Sequence, residues 1–352
     1  MSDLQKAYVK SRLSAGVSPD AFDEREEQDS YIGDLPEIPI EDDSSSASSA
    51  SSTGTIIPSP SRNLFARPEG VPRGRTLSQI PWTTYFEREL SVKASGGDAS
   101  SPTIHAYLTS PVGKGPLFVM HHGAGSSGLS FAVISSEIRK RVSAAGILSH
   151  DARGHGQTTA PGGDELDLSL TTLSNDLLTV ITETKSAMHW QELPPMILVG
   201  HSLGGAVVTE LAKSGALGNA LLGYAVLDVV EGSAIDALQS MQTYLSTRPT
   251  GFATVEAGIE WHIRSRTVRN AVSARTSVPA LLSHSGKEGD PRPWKWRTDL
   301  GKTQPFWENW FVGLSKKFLG ARGGKLLLLA GTDRLDTELT IGQMQGIHNA
   351  FT

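Results

Sequence analysis

The sequence contains no cysteine in its 352 residues. That excludes disulfides, thiolate zinc sites and a cysteine nucleophile together. No apolar run approaches the ~20 residues that a membrane-spanning helix requires. The opening "MSDLQKAYVKSRL" is charged and has no apolar core of the kind a secretory signal carries. Positive charge is not in excess either: the formal net charge is −5, which disfavours nucleic acid as a partner. These absences predict a soluble intracellular protein, cytoplasmic or nuclear, not secreted, with no membrane and no nucleic-acid partner.

What is present falls into two parts. Residues 1–75 hold an acidic block, "FDEREEQD", and a serine-rich run, "DSSSASSASSTGT". Such a segment buries too little apolar area to offset chain entropy and is expected to be a disordered tail. From residue 76 to 352, short apolar runs alternate with helical periods. "PLFVMHHG", "GILSH", "MILVGHSLGGA", "LLGYAVLDVVEG" and "KLLLLAGTDRLD" read as strands, and "SFAVISSEIRKRVSAAG" and "LSLTTLSNDLLTVITETKSAM" as helices. This alternation predicts an α/β fold: a mostly parallel sheet with helices on both faces and a site at the strand C-terminal ends. Between about Ala237 and Leu319 the alternation stops, and helices and loops rather than strands are expected. Five of the seven tryptophans lie there. An insertion at that point would form a helical cap over the active edge.

The chemistry is concentrated in "GHSLGG". Gly200, Ser202 and Gly204 follow an apolar run and precede a helical stretch, the context of a nucleophile elbow in an α/β hydrolase. The glycines leave room for a sharp turn that strains the serine and exposes its hydroxyl. "MHHGAGSSG" supplies a His-Gly turn whose backbone N–H near Ala124 would pair with that of Leu203 as an oxyanion hole. His121, His122 and His155 are read as residues that fix these loops. Two carboxylates end strands, Asp228 in "AVLDVVEG" and Asp333 in "LLAGTDRLD", and pattern does not choose between them. The order serine, acid, histidine leaves only His348 after Asp333. No apolar run precedes it to make a further strand, so it reads as a tail residue.

"IPWTTYFERELSV", "HHGAGSSGLSFAVIS", "DARGHGQT", "LDVVEGSAIDALQSMQTYLSTRP", "IEWHIRSRTVRNAVSARTSVP" and "LAGTDRLDTELTIGQMQG" together resemble the protein phosphatase methylesterases, from about Ile80 to Gly346. "DVVEGSAIDALQSMQ" carries most of the specificity, and the N-terminal "MSDLQKAYVKSRL" is similar to fungal members. The resemblance implies an α/β-hydrolase fold and serine-esterase chemistry with no metal or organic cofactor. Its substrate would be the methyl ester on the C-terminal leucine of the protein phosphatase 2A catalytic subunit. It also implies Ser202 as nucleophile and Asp228 as acid, with Asp333 in another role. Glu231 and Asp236, near Asp228, are expected to shape recognition of the tail. In the family a last strand, a Gly-His carrying the base and a final helix follow "GQMQG". Here "IHNAFT" follows, so the last strand, the base and that helix are expected to be missing. Two other readings stay open: a general carboxylesterase, supported by the elbow alone, and a phosphatase-binding protein without catalysis.

Overall fold

A computed structural model describes residues 77–94, 101–160, 167–330, 336–347 and 349–351. The chain divides near Gly70, and the described residues all belong to the second part. The serine-rich segment, Asp333 and His348 lie outside the described residues.

The strands β1 (Arg88–Lys93), β2 (Thr103–Thr109) and β3 (Leu117–His121) come first. Helix α1 (Ala132–Arg141), β4 (Gly146–His150) and α2 (Leu170–Ala187) follow, then β5 (Met196–His201), α3 (Leu203–Ser214) and β6 (Leu221–Leu227). The excursion after β6 holds α4 (Glu231–Thr247), α5 (Val255–Arg264), α6 (Ala271–Ser277), β7 (Leu282–His284), β8 (Trp294–Trp296), α7 (Gln304–Trp310) and α8 (Leu314–Gly320). The chain then returns through β9 (Gly324–Leu328), α9 (Thr337–Met344) and β10 (Asn349–Phe351).

Eight strands form one sheet in the order β1-β2-β4-β3-β5-β6-β9-β10. β2 is antiparallel to both of its neighbours, and from β4 to β10 every pairing is parallel. Successive side chains of a strand point to opposite faces, and the two faces bury different sets. Val119, Leu148, Leu198 and Val226 pack with α2, α3, α7 and α8. Met120, Ile147 and Tyr107, one residue out of phase, pack with Phe131 and Ala132 at the start of α1. The sheet with helices on both faces is the architecture that the alternating pattern predicts.

Two local expectations fail. The excursion contains a β-hairpin, β7 antiparallel to β8, where only helices and loops are expected. Its strands are three residues long, too short to show alternation, and they are held by packing of Phe252, Trp261 and Trp296. The last strand, expected to be missing, is present in short form: Asn349–Phe351 pairs in parallel with β9. It is made by a non-local ladder and not by an apolar run, so the sequence gives little sign of it.

Register aligns the ends of the parallel strands. His121 lies opposite Gly200, His201 opposite Leu227, Leu227 opposite Leu328, and Leu328 opposite Phe351. The residues that leave β5 and β6 along this edge are Ser202 and Asp228.

Candidate active site

Ser202 stands between β5 and α3 with φ 52° and ψ −121°. A non-glycine residue there is strained, and such strain persists only where the surroundings fix it. Here its amide donates to the Leu227 carbonyl at 3.0 Å, and its carbonyl accepts from Gly205 N–H at 2.8 Å. The turn closes only over glycine. A Cβ on Gly200 would lie 2.1 Å from the Gly204 carbonyl oxygen, and one on Gly204 would lie 2.1 Å from the His121 carbonyl oxygen. Both obstacles are backbone, so relief requires moving β3 or β5. Gly204→Ala is therefore expected to cost about 3 kcal/mol or more. Chemical denaturation measures this, and an unchanged midpoint would contradict it.

Asp228 leaves β6 with φ 55°. Its amide donates to the Leu328 carbonyl at 2.7 Å, and its Oδ1 accepts from Ala330 N–H at 3.0 Å. These bonds tie the carboxylate to the end of β9. A cavity of about 130 Å³ opens on both residues and is also lined by Ala124, Leu203, Val229, Leu238, Met241, Trp310 and Phe311. That is about four times the ~30 Å³ share of one water in the liquid. Apart from Ser202 and Asp228, its lining side chains are apolar.

The N–H of Leu203 belongs to the first turn of α3, which has no acceptor within the helix. The Ala124 N–H likewise donates to no other described backbone carbonyl. Both residues line the cavity beside Ser202, at the positive end of the helix.

The loop that carries Ala124 is held from behind by histidines. His155 Nε2 accepts from Gly125 N–H at 2.8 Å, and His155 Nδ1 donates to the Arg153 carbonyl at 2.8 Å. His122 Nε2 accepts from Ala152 N–H at 2.9 Å, and its Nδ1 donates to the Gly123 carbonyl at 2.8 Å. A ring nitrogen that accepts from a peptide N–H carries no proton, so this network requires both rings to be neutral. Burial favours the same state and holds His121 down to about 4 and His122 and His155 below the usual range. Arg153 pairs with Asp176 of α2 through two contacts of 2.9 Å, which anchors the loop to the core. The loop-fixing roles expected for His122 and His155 agree with this network, whereas the His121 ring bonds only to the adjacent His122 carbonyl, at 2.9 Å.

These depressed histidines make stability depend on pH. Below the unfolded value near 6.5 the unfolded chain binds protons that the folded chain refuses, so stability falls as pH falls. His121 alone contributes a loss of about 2 kcal/mol between pH 7 and pH 5. His105 works in the opposite sense: burial opposes its charge, but Asp151 and Glu89 together outweigh burial and raise it. Its share of stability is complete at low pH and is lost as pH rises. The depressed residues outnumber it, so unfolding midpoints in denaturant are expected to fall from pH 7 to pH 5. A rise would contradict the neutral network.

The structure redirects one expected recognition residue. Glu231 accepts from the amides of Gly313 and Ser315, at 2.9 and 3.4 Å, and so ties α4 to the start of α8. It is a structural clamp and does not line the cavity. Asp236 lies on α4, but its side chain is outside the described residues. Sequence does not assign Leu238, Met241, Trp310 and Phe311 to a cavity wall. Leu238 and Met241 fall within "DVVEGSAIDALQSMQ", which carries the resemblance without giving them a role, and Trp310 and Phe311 show only in the density of aromatics in the excursion.

His201 precedes the serine. The Asp228 charge favours its protonation, but the surrounding protein outweighs that charge and holds it below the usual range, although part of its surface meets solvent. β10 runs beside β9 as far as Phe351, opposite Leu328. His348 precedes that strand in sequence. Among the described residues no group of three or more His, Asp or Glu is placed to hold a metal ion. No described helix is long and apolar enough to cross a membrane.

Comparison with known proteins adds three findings. The α/β hydrolase family model matches residues 118–350. Protein phosphatase methylesterase 1 of Gibberella zeae is 69% identical over 98% of this chain and 86% of that protein. The proteins of the same name from Neurospora crassa and Bos taurus are 62% and 38% identical, over 98% and 79% of this chain and 88% and 80% of theirs. Among solved structures, E-2-(acetamidomethylene)succinate hydrolase superposes with a TM-score of 0.53 at 17% identity, over 75% of this chain and 90% of that one.

Proposed function

The chain belongs to the α/β hydrolase family and, within it, to the protein phosphatase methylesterases, and from that premise we propose that Ser202 and Asp228 carry out methyl-ester hydrolysis on a phosphatase. It is a serine ester hydrolase. The substrate we assign is the methylated C-terminal leucine of the protein phosphatase 2A catalytic subunit. One observation carries the reading: the strained Ser202 and Asp228 leave neighbouring strands into one small, mostly apolar cavity. It has room for a short branched aliphatic side chain beside an ester.

In this mechanism the Ser202 hydroxyl attacks the ester carbonyl as an imidazole, which in the family follows the last strand and which is assigned to no described residue of this chain, takes its proton. Leu203 and Ala124 N–H groups receive the oxyanion. The imidazole returns the proton to the departing methoxide, which leaves as methanol. Water then attacks the acyl-serine by the same route and frees the leucine carboxylate. Asp228 keeps the imidazole in the tautomer and orientation that accept the serine proton.

A second reading, phosphatase binding without turnover, rests on the position of His348 before β10 in the sequence. A fluorophosphonate probe separates the two. Labelling of Ser202 in the wild-type chain, lost in Ser202→Ala, is expected for the esterase. Retained phosphatase binding with no labelling would favour the second reading. His348→Gln is expected to leave the labelling rate unchanged, and its loss would place the base there.

A further inference from the structure

We propose that Arg248, stacked on Trp296, is an anion subsite that receives an acidic side chain of the protein substrate upstream of the scissile ester. The inference rests on the methylesterase reading and adds to it a sequence requirement in the substrate.

Three hollows adjoin along α4. The Ser202 cavity shares Leu238 with a larger hollow of about 900 Å³, which is also lined by Gln242, Lys302, Gln304 and Trp307. That hollow shares Gly301 with a third of about 370 Å³, lined by Leu245, Arg248, Thr250, Lys295, Trp296 and Thr298. Leu238, Gln242 and Leu245 recur at helical spacing, so one face of α4 forms a continuous wall. Arg248 stands where that helix ends. Ten residues of helix from Leu238 to Arg248 span about 15 Å. An extended peptide covers this in about four to five residues.

The charge in the third hollow is poised for an anion. The Arg248 guanidinium carbon lies 3.5 Å from the centroid of the Trp296 ring. Trp296 is itself fixed by its Nε1–H, which donates to the Pro249 carbonyl at 2.7 Å. The Arg248 Nε is buried with no hydrogen-bond partner. The other charged groups around the hollow are already matched: Lys295 with Asp290 at 3.1 Å, and Asp299 with Lys302 at 3.5 Å. No carboxylate among the described residues pairs with Arg248. Stacking holds the planar guanidinium in place, so little freedom is lost when it takes a carboxylate or phosphate. Arg248 is half-buried, with its Nε–H out of reach of water and without a hydrogen-bond partner, and an incoming anion would supply the matching charge.

The test uses the full chain and fluorescent peptides that end in a leucine carboxylate, the product form, so binding needs no turnover. Each peptide carries Glu, phosphoserine or Gln at one position three to six residues before the leucine. Fluorescence anisotropy is expected to show the tightest binding for Glu or phosphoserine four or five residues upstream, about tenfold tighter than Gln. Arg248→Gln is expected to abolish that difference and leave the Gln peptide within twofold of its wild-type affinity. Equal preference for Glu and phosphoserine would make charge the only requirement, and a preference for either alone would identify the source. A flat profile across positions in the wild type overturns the inference even if the variant fails to fold. So does an equal loss for the Glu and Gln peptides in Arg248→Gln, or failure of the wild type to bind any of them. Methanol release from a neutral methyl-ester peptide tests the methylesterase reading separately, because it needs no anion.

Discussion

Ser202→Ala is expected to lower kcat for methyl-ester hydrolysis by about 10⁴- to 10⁶-fold while the fold and affinity for the phosphatase tail persist. Removal of a serine nucleophile leaves only what the oxyanion donors and binding supply. The substitution leaves the geometry of the turn in place. The strain at φ 52° is stored in backbone, and alanine carries the same Cβ as serine. The two donors, Leu203 and Ala124 N–H, are also backbone. Loss of activity should therefore occur without a change in KM or in unfolding midpoint. Methanol release and circular dichroism on the same preparation measure both. A fall in activity matched by a fall in stability would mean the hydroxyl is structural.

Asp228→Asn is expected to cost about 10⁴-fold in kcat, with little change in KM. An amide in that place stabilises the wrong tautomer of the base and withdraws its compensating charge. The backbone bond from Asp228 N–H to the Leu328 carbonyl is untouched by the change, and an amide oxygen still accepts from Ala330 N–H. The turn should therefore survive. Asp333→Asn is the matched control and is expected to leave kcat near wild type. Steady-state methanol release distinguishes the two, and the opposite ranking would move the acid to the end of β9.

The parts of the site that were legible in sequence are those whose chemistry is steric and local. Gly200 and Gly204 are required because a Cβ at either would strike backbone two ångströms away, and such a requirement leaves glycines at fixed spacing. The parallel sheet was legible because buried strands read as apolar runs between helical periods. What stayed hidden is non-local. β10 exists because β9 offers it a ladder, and the β7–β8 hairpin exists because Phe252 and Trp261, distant in sequence, pack on Trp296 of β8. The residues themselves left Asp228 and Asp333 level. The resemblance chose Asp228; the register brings Asp228 next to Ser202 along one sheet edge, and Asp333 lies outside the described residues. The wall from α4 lies within "DVVEGSAIDALQSMQ", which marks the resemblance but gives Leu238 and Met241 no role until the fold sets them at the cavity beside Ser202. Arg248 lies in the same resembling stretch, "LDVVEGSAIDALQSMQTYLSTRP", and only the fold brings it onto Trp296.

The chemistry proposed for Ser202 is hydrolysis of a phosphatase methyl ester. The most direct measurement is intact mass of the methylated phosphatase 2A catalytic subunit after incubation with the chain. Loss of the methyl group is expected with wild type and no change with Ser202→Ala. An unchanged mass in both, with equal cleavage of a small aryl ester by both, would contradict it.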